Sequence, residues 1–240
     1  MSLSIKKYGV GTPLVLFHGW GFDSSIWTPI IPILSQHFTL YCVDLPGFGQ
    51  SSLMDWVEFK KDLLSQLPQT FAIAGWSLGG LFATRLTLEV PNRVHRLFNI
   101  ASSPQFIVSH DWPGIELSVF KAFYNNLKSN PQKTRAQFID LQLKGVEAER
   151  PAIPKLVEAK ALERSLTILL DWTFLERLNE LKQPVNYWFG RLDGIVPHKT
   201  QTALMNRYPH FNFVTFKQSA HIPFLSEPSA FISLLQETMQ

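Results

Sequence analysis

Ser77 stands in Gly75-Trp76-Ser77-Leu78-Gly79, a Gly-x-Ser-x-Gly pattern with the apolar run Phe71 to Ala74 before it and a helical pattern after it. A serine on such a sharp strand-to-helix turn has its hydroxyl exposed, and glycine is needed on either side because a side chain there meets neighbouring backbone. The chemistry open to it is attack on a carbonyl carbon. A serine hydroxyl is a weak nucleophile, so it needs a base within hydrogen-bond reach, itself held in one tautomer by a carboxylate. His221, in Ser219-Ala220-His221-Ile222-Pro223-Phe224 beyond the last apolar run, is the expected base. Asp193, in Arg191-Leu192-Asp193-Gly194 just past the run Val185 to Gly190, is the expected acid; its competing reading is a turn or capping aspartate before Gly194. Two backbone N–H groups are expected to hold the developing oxyanion. Leu78 opens a helix, whose dipole favours negative charge, and Trp20 lies in the glycine loop His18-Gly19-Trp20-Gly21 after another apolar run.

The remaining candidates read as structure. His18 ends a buried strand, Asp44 opens the turn Leu45-Pro46-Gly47-Phe48-Gly49, and His37, His95 and His210 fall at strand or helix ends. His198 is near Asp193 in sequence but at an expected helix start. Cys42, the single cysteine, has no partner for a disulfide and reads as a buried core thiol. No His-Glu-x-x-His or paired-cysteine spacing occurs, and Gly47-Phe48-Gly49 lacks the lysine and third glycine of a phosphate loop. Neither a metal nor any other cofactor is expected.

The elements that must position these residues alternate. Strand-like runs fall at Leu14 to His18, Thr39 to Val43, Phe71 to Gly75, Val94 to Ala101, Val185 to Gly190 and Phe211 to Phe216. Most are continuously apolar, as strands covered on both faces require. Between them helical patterns span Trp27 to Ser35, Asp55 to Leu67, Leu78 to Glu89, Thr200 to Tyr208 and Pro228 to Met239. This alternation predicts a mostly parallel sheet with flanking helices, and with the order serine, aspartate, histidine it predicts the α/β-hydrolase fold. The alternation stops after Ala101. From Phe106 to Trp172 the pattern is helical and broken by Pro113, Pro131, Pro151 and Pro154, so an inserted helical cap (106–172) is expected over a core of 1–105 and 173–240.

A chain of 240 residues with 45% hydrophobic content can bury one large core. A net charge of +3 is too small to indicate nucleic acid. Met1 to Tyr8 has no signal-peptide pattern, and no apolar run reaches the roughly 20 residues of a membrane span. A cytoplasmic monomer without membrane contact is expected.

With these motifs in view, the chain resembles the pimeloyl-[acyl-carrier protein] methyl ester esterases of biotin synthesis. The matching stretches are LFHGWGFDSSIW (16–27), HFTLYCVDLPGFGQS (37–51), AGWSLGGL (74–81), IASSPQF (100–106), DWPGI (111–115), LDGIVP (192–197) and SAHIPFLSEP (219–228). The resemblance implies a serine carboxylesterase that releases methanol and frees the pimeloyl carboxylate on its acyl-carrier protein. It also implies a substrate site of Trp20, Ser77, Leu78, the cap segment Phe138, Ile139, Asp140, Leu141 and Gln142, and His221. Basic positions expected to meet the carrier appear here as Lys133 and Gln137, and the match is poor around 150–160. Lys121, Lys128, Lys133, Arg135, Lys144, Arg150, Lys155, Lys160 and Arg164 supply positive charge in the cap. They line a mouth for an acidic carrier, or else a solvated face balanced by Glu147, Glu149, Glu158 and Glu163.

Overall fold

The structure is a computed structural model and describes residues 2–154 and 159–240. Lys155 and Glu158 therefore lie outside the described residues. Seven strands, β1 (Ile5–Tyr8), β2 (Thr12–Phe17), β3 (Phe38–Val43), β4 (Phe71–Trp76), β5 (Val94–Ile100), β6 (Val185–Gly190) and β7 (Asn212–Phe216), form one sheet in the order β1-β3-β2-β4-β5-β6-β7. All pairs are parallel except β1 with β3. The register sets Phe17 beside Gly75, Gly75 beside Asn99 and Ile100 beside Trp188, so the carboxyl ends of four strands share one edge.

The strands are continuously apolar because both faces are covered. Val15, Phe17 and Ile73 pack on one side with α2 (Trp56–Gln66) and α3 (Leu78–Glu89), through Phe59, Leu63, Leu81 and Leu86. Their neighbours Leu14, Leu16 and Ala74 point the other way, to Trp27, Ile30, Phe224, Phe231 and Leu235. An Asp55–Glu58 capping box starts α2, each side chain accepting the other's backbone N–H.

Two local expectations fail. The helix expected over Trp27 to Ser35 is a 3-10 turn at Ser24–Trp27 and one turn of α1 (Ile31–Leu34). Pro29 and Pro32 lack the N–H groups a helix there must donate, so it cannot propagate. The β1 strand was not foreseen, since Ile-Lys-Lys-Tyr is short, polar and only half-buried on the sheet edge.

Between β5 and β6 the described residues make α4 (Leu117–Ser129), α5 (Pro131–Gln142) and α6 (Ala159–Asp171) and no named strand. Pro131 sits in the first turn of α5, where its missing N–H costs nothing, and Asn130 caps that helix through the N–H of Lys133. After β6 come α7 (His198–Arg207), α8 (Pro223–Ser226) and α9 (Pro228–Met239). No helix among the described residues is long and apolar enough to cross a membrane.

Candidate active site

Ser77 joins β4 to α3 with φ of 53° and ψ of −118°, a conformation costing a non-glycine residue about 1–3 kcal/mol. The surrounding structure imposes it. The Ser77 N–H donates to the Ile100 carbonyl at 2.9 Å, and the Ser77 carbonyl accepts from the Ser102 hydroxyl at 2.7 Å. A side-chain carbon on Gly75 would lie 2.2 Å from the Gly79 carbonyl oxygen, and one on Gly79 2.5 Å from that of Phe17. Only hydrogen fits at either position.

The loops after β6 and β7 bring up the other two side chains. His221 Nε2 is 2.9 Å from Ser77 Oγ, and His221 Nδ1 is 2.7 Å from Asp193 Oδ2. The other carboxylate oxygen of Asp193 accepts the N–H groups of Ile195 and Val196 at 2.8 and 3.0 Å. All three residues are buried. This geometry suits an imidazole that donates from Nδ1 to the carboxylate and accepts the serine proton at Nε2. The backbone of His221 is gripped at both polar groups. Its N–H donates to the Gln142 carbonyl at 3.1 Å, and its carbonyl accepts from the Trp76 indole at 2.7 Å. These two contacts had no signal in the sequence, because neither residue type nor spacing announces a partner 79 or 145 residues away.

Leu78 is the first residue of α3, so its N–H has no acceptor within the helix. Trp20 lies in a turn closed by the Phe22 N–H on the Gly19 carbonyl at 3.3 Å. Its indole N–H donates to the Leu162 carbonyl at 3.2 Å, and its ring packs edge-on against Phe123 and Phe138. His18 lies outside this constellation. Its Nε2 accepts the Leu45 N–H at 2.9 Å and its Nδ1 pairs with the Gly19 carbonyl at 2.8 Å, while burial lowers its pKa below 6.5. Asp44 holds the N–H groups of Ser24 and Gln50, and His198 bonds Thr202 on α7.

Ser77 opens into a cavity of about 150 Å³ walled by Trp20, Phe106, Phe120, Phe123, Phe138, Leu141 and Leu166. The expected substrate segment is divided by the helical period. Phe138 and Leu141 face the cavity, but Ile139, Asp140 and Gln142 do not line it. Ile139 is buried in the apolar cluster that holds Trp76, Asp140 is exposed and paired with Arg150, and Gln142 contributes its backbone carbonyl beneath His221. Arg135, expected on a carrier-facing surface, is buried and bonds to the Gly21 and Pro154 carbonyls. A second cavity of about 210 Å³, between α6 and residues 45–56, contains none of these groups. Among the described residues no cluster of His, Cys, Asp or Glu is placed to hold a metal ion.

A seven-stranded sheet with a serine, histidine and aspartate hydrogen-bonded at the carboxyl edge of its strands defines the class of the α/β-hydrolases. Residues 14–234 match the model of the alpha/beta hydrolase family. Over 99% of both chains, the sequence is 50% identical to a pimeloyl-[acyl-carrier protein] methyl ester esterase of Legionella pneumophila. It is 37% identical to the protein of that name from Aeromonas hydrophila, over 98% of each. The chain belongs to the alpha/beta hydrolase family and, within it, to the pimeloyl-[acyl-carrier protein] methyl ester esterases. An esterase structure from Exiguobacterium antarcticum superposes with a TM-score of 0.88 at 19% identity, covering 98% of this chain and 94% of the other, which shows the shared fold.

Proposed function

We propose that this chain hydrolyses the methyl ester of a pimeloyl group carried on acyl-carrier protein, with Ser77 as nucleophile, His221 as base and Asp193 orienting the base. The observation that carries the reading is the Ser77–His221–Asp193 hydrogen-bonded chain opening into an otherwise apolar cavity. Such walls suit a methylene chain, each buried CH₂ contributing about 0.8 kcal/mol. The substrate follows from the names of the relatives, and a place in biotin synthesis from the resemblance. Residues 106–172 are read as a cap over a core of 1–105 and 173–240.

In the first half-reaction His221 takes the Ser77 proton as the hydroxyl attacks the ester carbonyl, and the oxyanion is met by the N–H groups of Trp20 and Leu78. His221 then protonates the departing methoxide, releasing methanol and leaving an acyl-enzyme. Water, deprotonated by His221, attacks that ester, and the returning proton restores Ser77 as the acid departs.

The test is complementation of a biotin-requiring strain that lacks the esterase, alongside turnover of carrier-bound and free methyl esters. We expect growth, a preference for the carrier-bound ester, and loss of kcat by at least about a thousandfold in Ser77→Ala and in His221→Ala. The double variant should be little worse than either single one. Near-normal turnover by Ser77→Ala removes the mechanism. Equal turnover of both esters without complementation makes the protein a general carboxylesterase.

A further inference from the structure

Arg135 is 9% exposed, and among the described residues no carboxylate is hydrogen-bonded to it. One guanidinium nitrogen, Nη2, donates to two backbone carbonyls, Gly21 at 3.0 Å and Pro154 at 2.9 Å, while Nε has no partner among the described residues. Asp23 acts on it only through space, and burial lowers its pKa. A guanidinium buried in this way is costly, and an apolar side chain would serve packing alone better.

What it holds is the loop of the oxyanion site. Gly21 follows Trp20 in the turn closed by Phe22 on Gly19 and takes φ of 82°. The Gly21 carbonyl belongs to the Gly21–Phe22 peptide, two units on from the Gly19–Trp20 peptide that carries the Trp20 N–H, so holding it ties down the far side of the same turn. Two helical turns on, about 10 Å along α5, the Gln142 carbonyl accepts the His221 N–H at 3.1 Å. One helix thus touches the oxyanion loop from its second turn and the base loop at its end. The side chain between them, Phe138, packs on Trp20 with ring centroids 5.2 Å apart.

We propose that α5 is a brace that sets the oxyanion hole against the base, and that Arg135 is a positioning residue for ester hydrolysis. The proposal rests on the serine-esterase reading above. It makes the seating of the cap part of catalysis: with α5 displaced, both the Trp20 loop and the His221 loop lose a hydrogen bond.

Arg135→Met keeps an unbranched apolar stem and removes the buried charge, so the fold is expected to survive. With 4-nitrophenyl acetate as substrate, kcat should fall about tenfold to a hundredfold while KM stays within about twofold. A trifluoromethyl ketone adds to the serine as an oxyanion, and its affinity should fall by the same factor as kcat. The melting temperature should be unchanged or raised. Arg135→Lys, which keeps the charge on a single donor nitrogen, should recover part of both losses. A merely structural residue gives the reverse pattern, a lower melting temperature with unchanged kcat and ketone affinity in the folded enzyme, and that result overturns the brace. If Arg135→Met does not fold, the same two readouts on Arg135→Lys decide: parallel losses support the proposal and wild-type values overturn it. A wild-type enzyme inert to both ester and ketone would overturn the esterase reading and the brace with it. An active wild type matched by both variants would overturn the brace alone.

Discussion

The two oxygens of Asp193 have separate duties. Oδ1 ties down its own loop through the Ile195 and Val196 N–H groups, and Oδ2 meets His221 Nδ1. In Asp193→Asn the amide oxygen can keep the loop bonds while the amide nitrogen faces Nδ1. The imidazole is then driven to the tautomer whose Nε2–H points at Ser77 and cannot accept its proton. The expected result is a folded protein whose kcat is lower by roughly a hundredfold to ten-thousandfold. Steady-state turnover and a thermal melt on one sample check it, and unfolding would show that the loop bonds matter more than the tautomer. At this scale the sequence was most legible, since the Gly-x-Ser-x-Gly pattern and the strand-end Asp193 and His221 carry local signals. Arg135 misled because its type suggests a surface, whereas its bonds go to the carbonyls of Gly21 and Pro154.

The elements position Ser77 by close approach of backbone. Gly79 lets the first turn of α3 lie against the end of β2, where an added carbon would be 2.5 Å from the Phe17 oxygen and 2.7 Å from that of His18. Gly79→Ala should therefore cost about 3 kcal/mol of stability and disturb Ser77 and Leu78 together. Gly194→Ala is the control: an added carbon there meets nothing within 4 Å, so stability should change by less than about 0.5 kcal/mol. Denaturant titration of both variants checks this, and equal midpoints would show that the turn has slack. The core strands and the long helices α2, α3 and α9 were legible because their periodicity is continuous. The short edge strand β1 and the proline-broken segment around α1 were not, because pairing and missing donors, rather than pattern, decide them.

For the whole molecule, charge bears first on acid stability. Burial alone would raise the Glu89 carboxyl, but hydrogen bonds from Lys60, Trp56 and Arg85 outweigh it and hold the pKa at about 2 against an ordinary 4.5. The folded state then releases the proton more readily than the unfolded one. The resulting stability is complete above about pH 4.5 and is lost as pH falls toward 2. For His18 burial lowers the folded pKa below 6.5, so the unfolded chain takes up the proton first and stability declines as pH drops below 6.5. Urea unfolding midpoints should fall in both ranges, and Glu89→Gln should flatten the lower one. An unchanged slope in that variant would count against the cluster. Lys121, Lys128, Lys133, Lys144, Lys160 and Arg164 are exposed on or beside α4 to α6. If they steer an acidic carrier, raising salt from 0.1 M to 1 M shortens the Debye length from about 10 Å to about 3 Å and should lower kcat/KM for the carrier-bound ester severalfold. Hydrolysis of a small neutral ester should hardly change. Charge reversal at Lys133 should reproduce the effect, and equal salt sensitivity of the two substrates would sink steering.

By itself the sequence determined the chemistry and the fold class, since both follow from short-range rules: glycines flanking a strained serine, strand runs that alternate with helical ones, and Asp193 and His221 just beyond strand ends. The tertiary structure alone decided which side chains meet. Phe138 and Leu141 turn toward the cavity, Ile139 turns into the core and Gln142 lies under His221, because the phase of α5 is fixed by the packing of Phe138 on Trp20 and of Ile139 in the apolar cluster that holds Trp76, partners more than sixty residues away in the chain. The same long-range packing buries Arg135 against Gly21, 114 residues distant. No local periodicity encodes such a meeting, because the facing of a helix depends on the surface it docks upon.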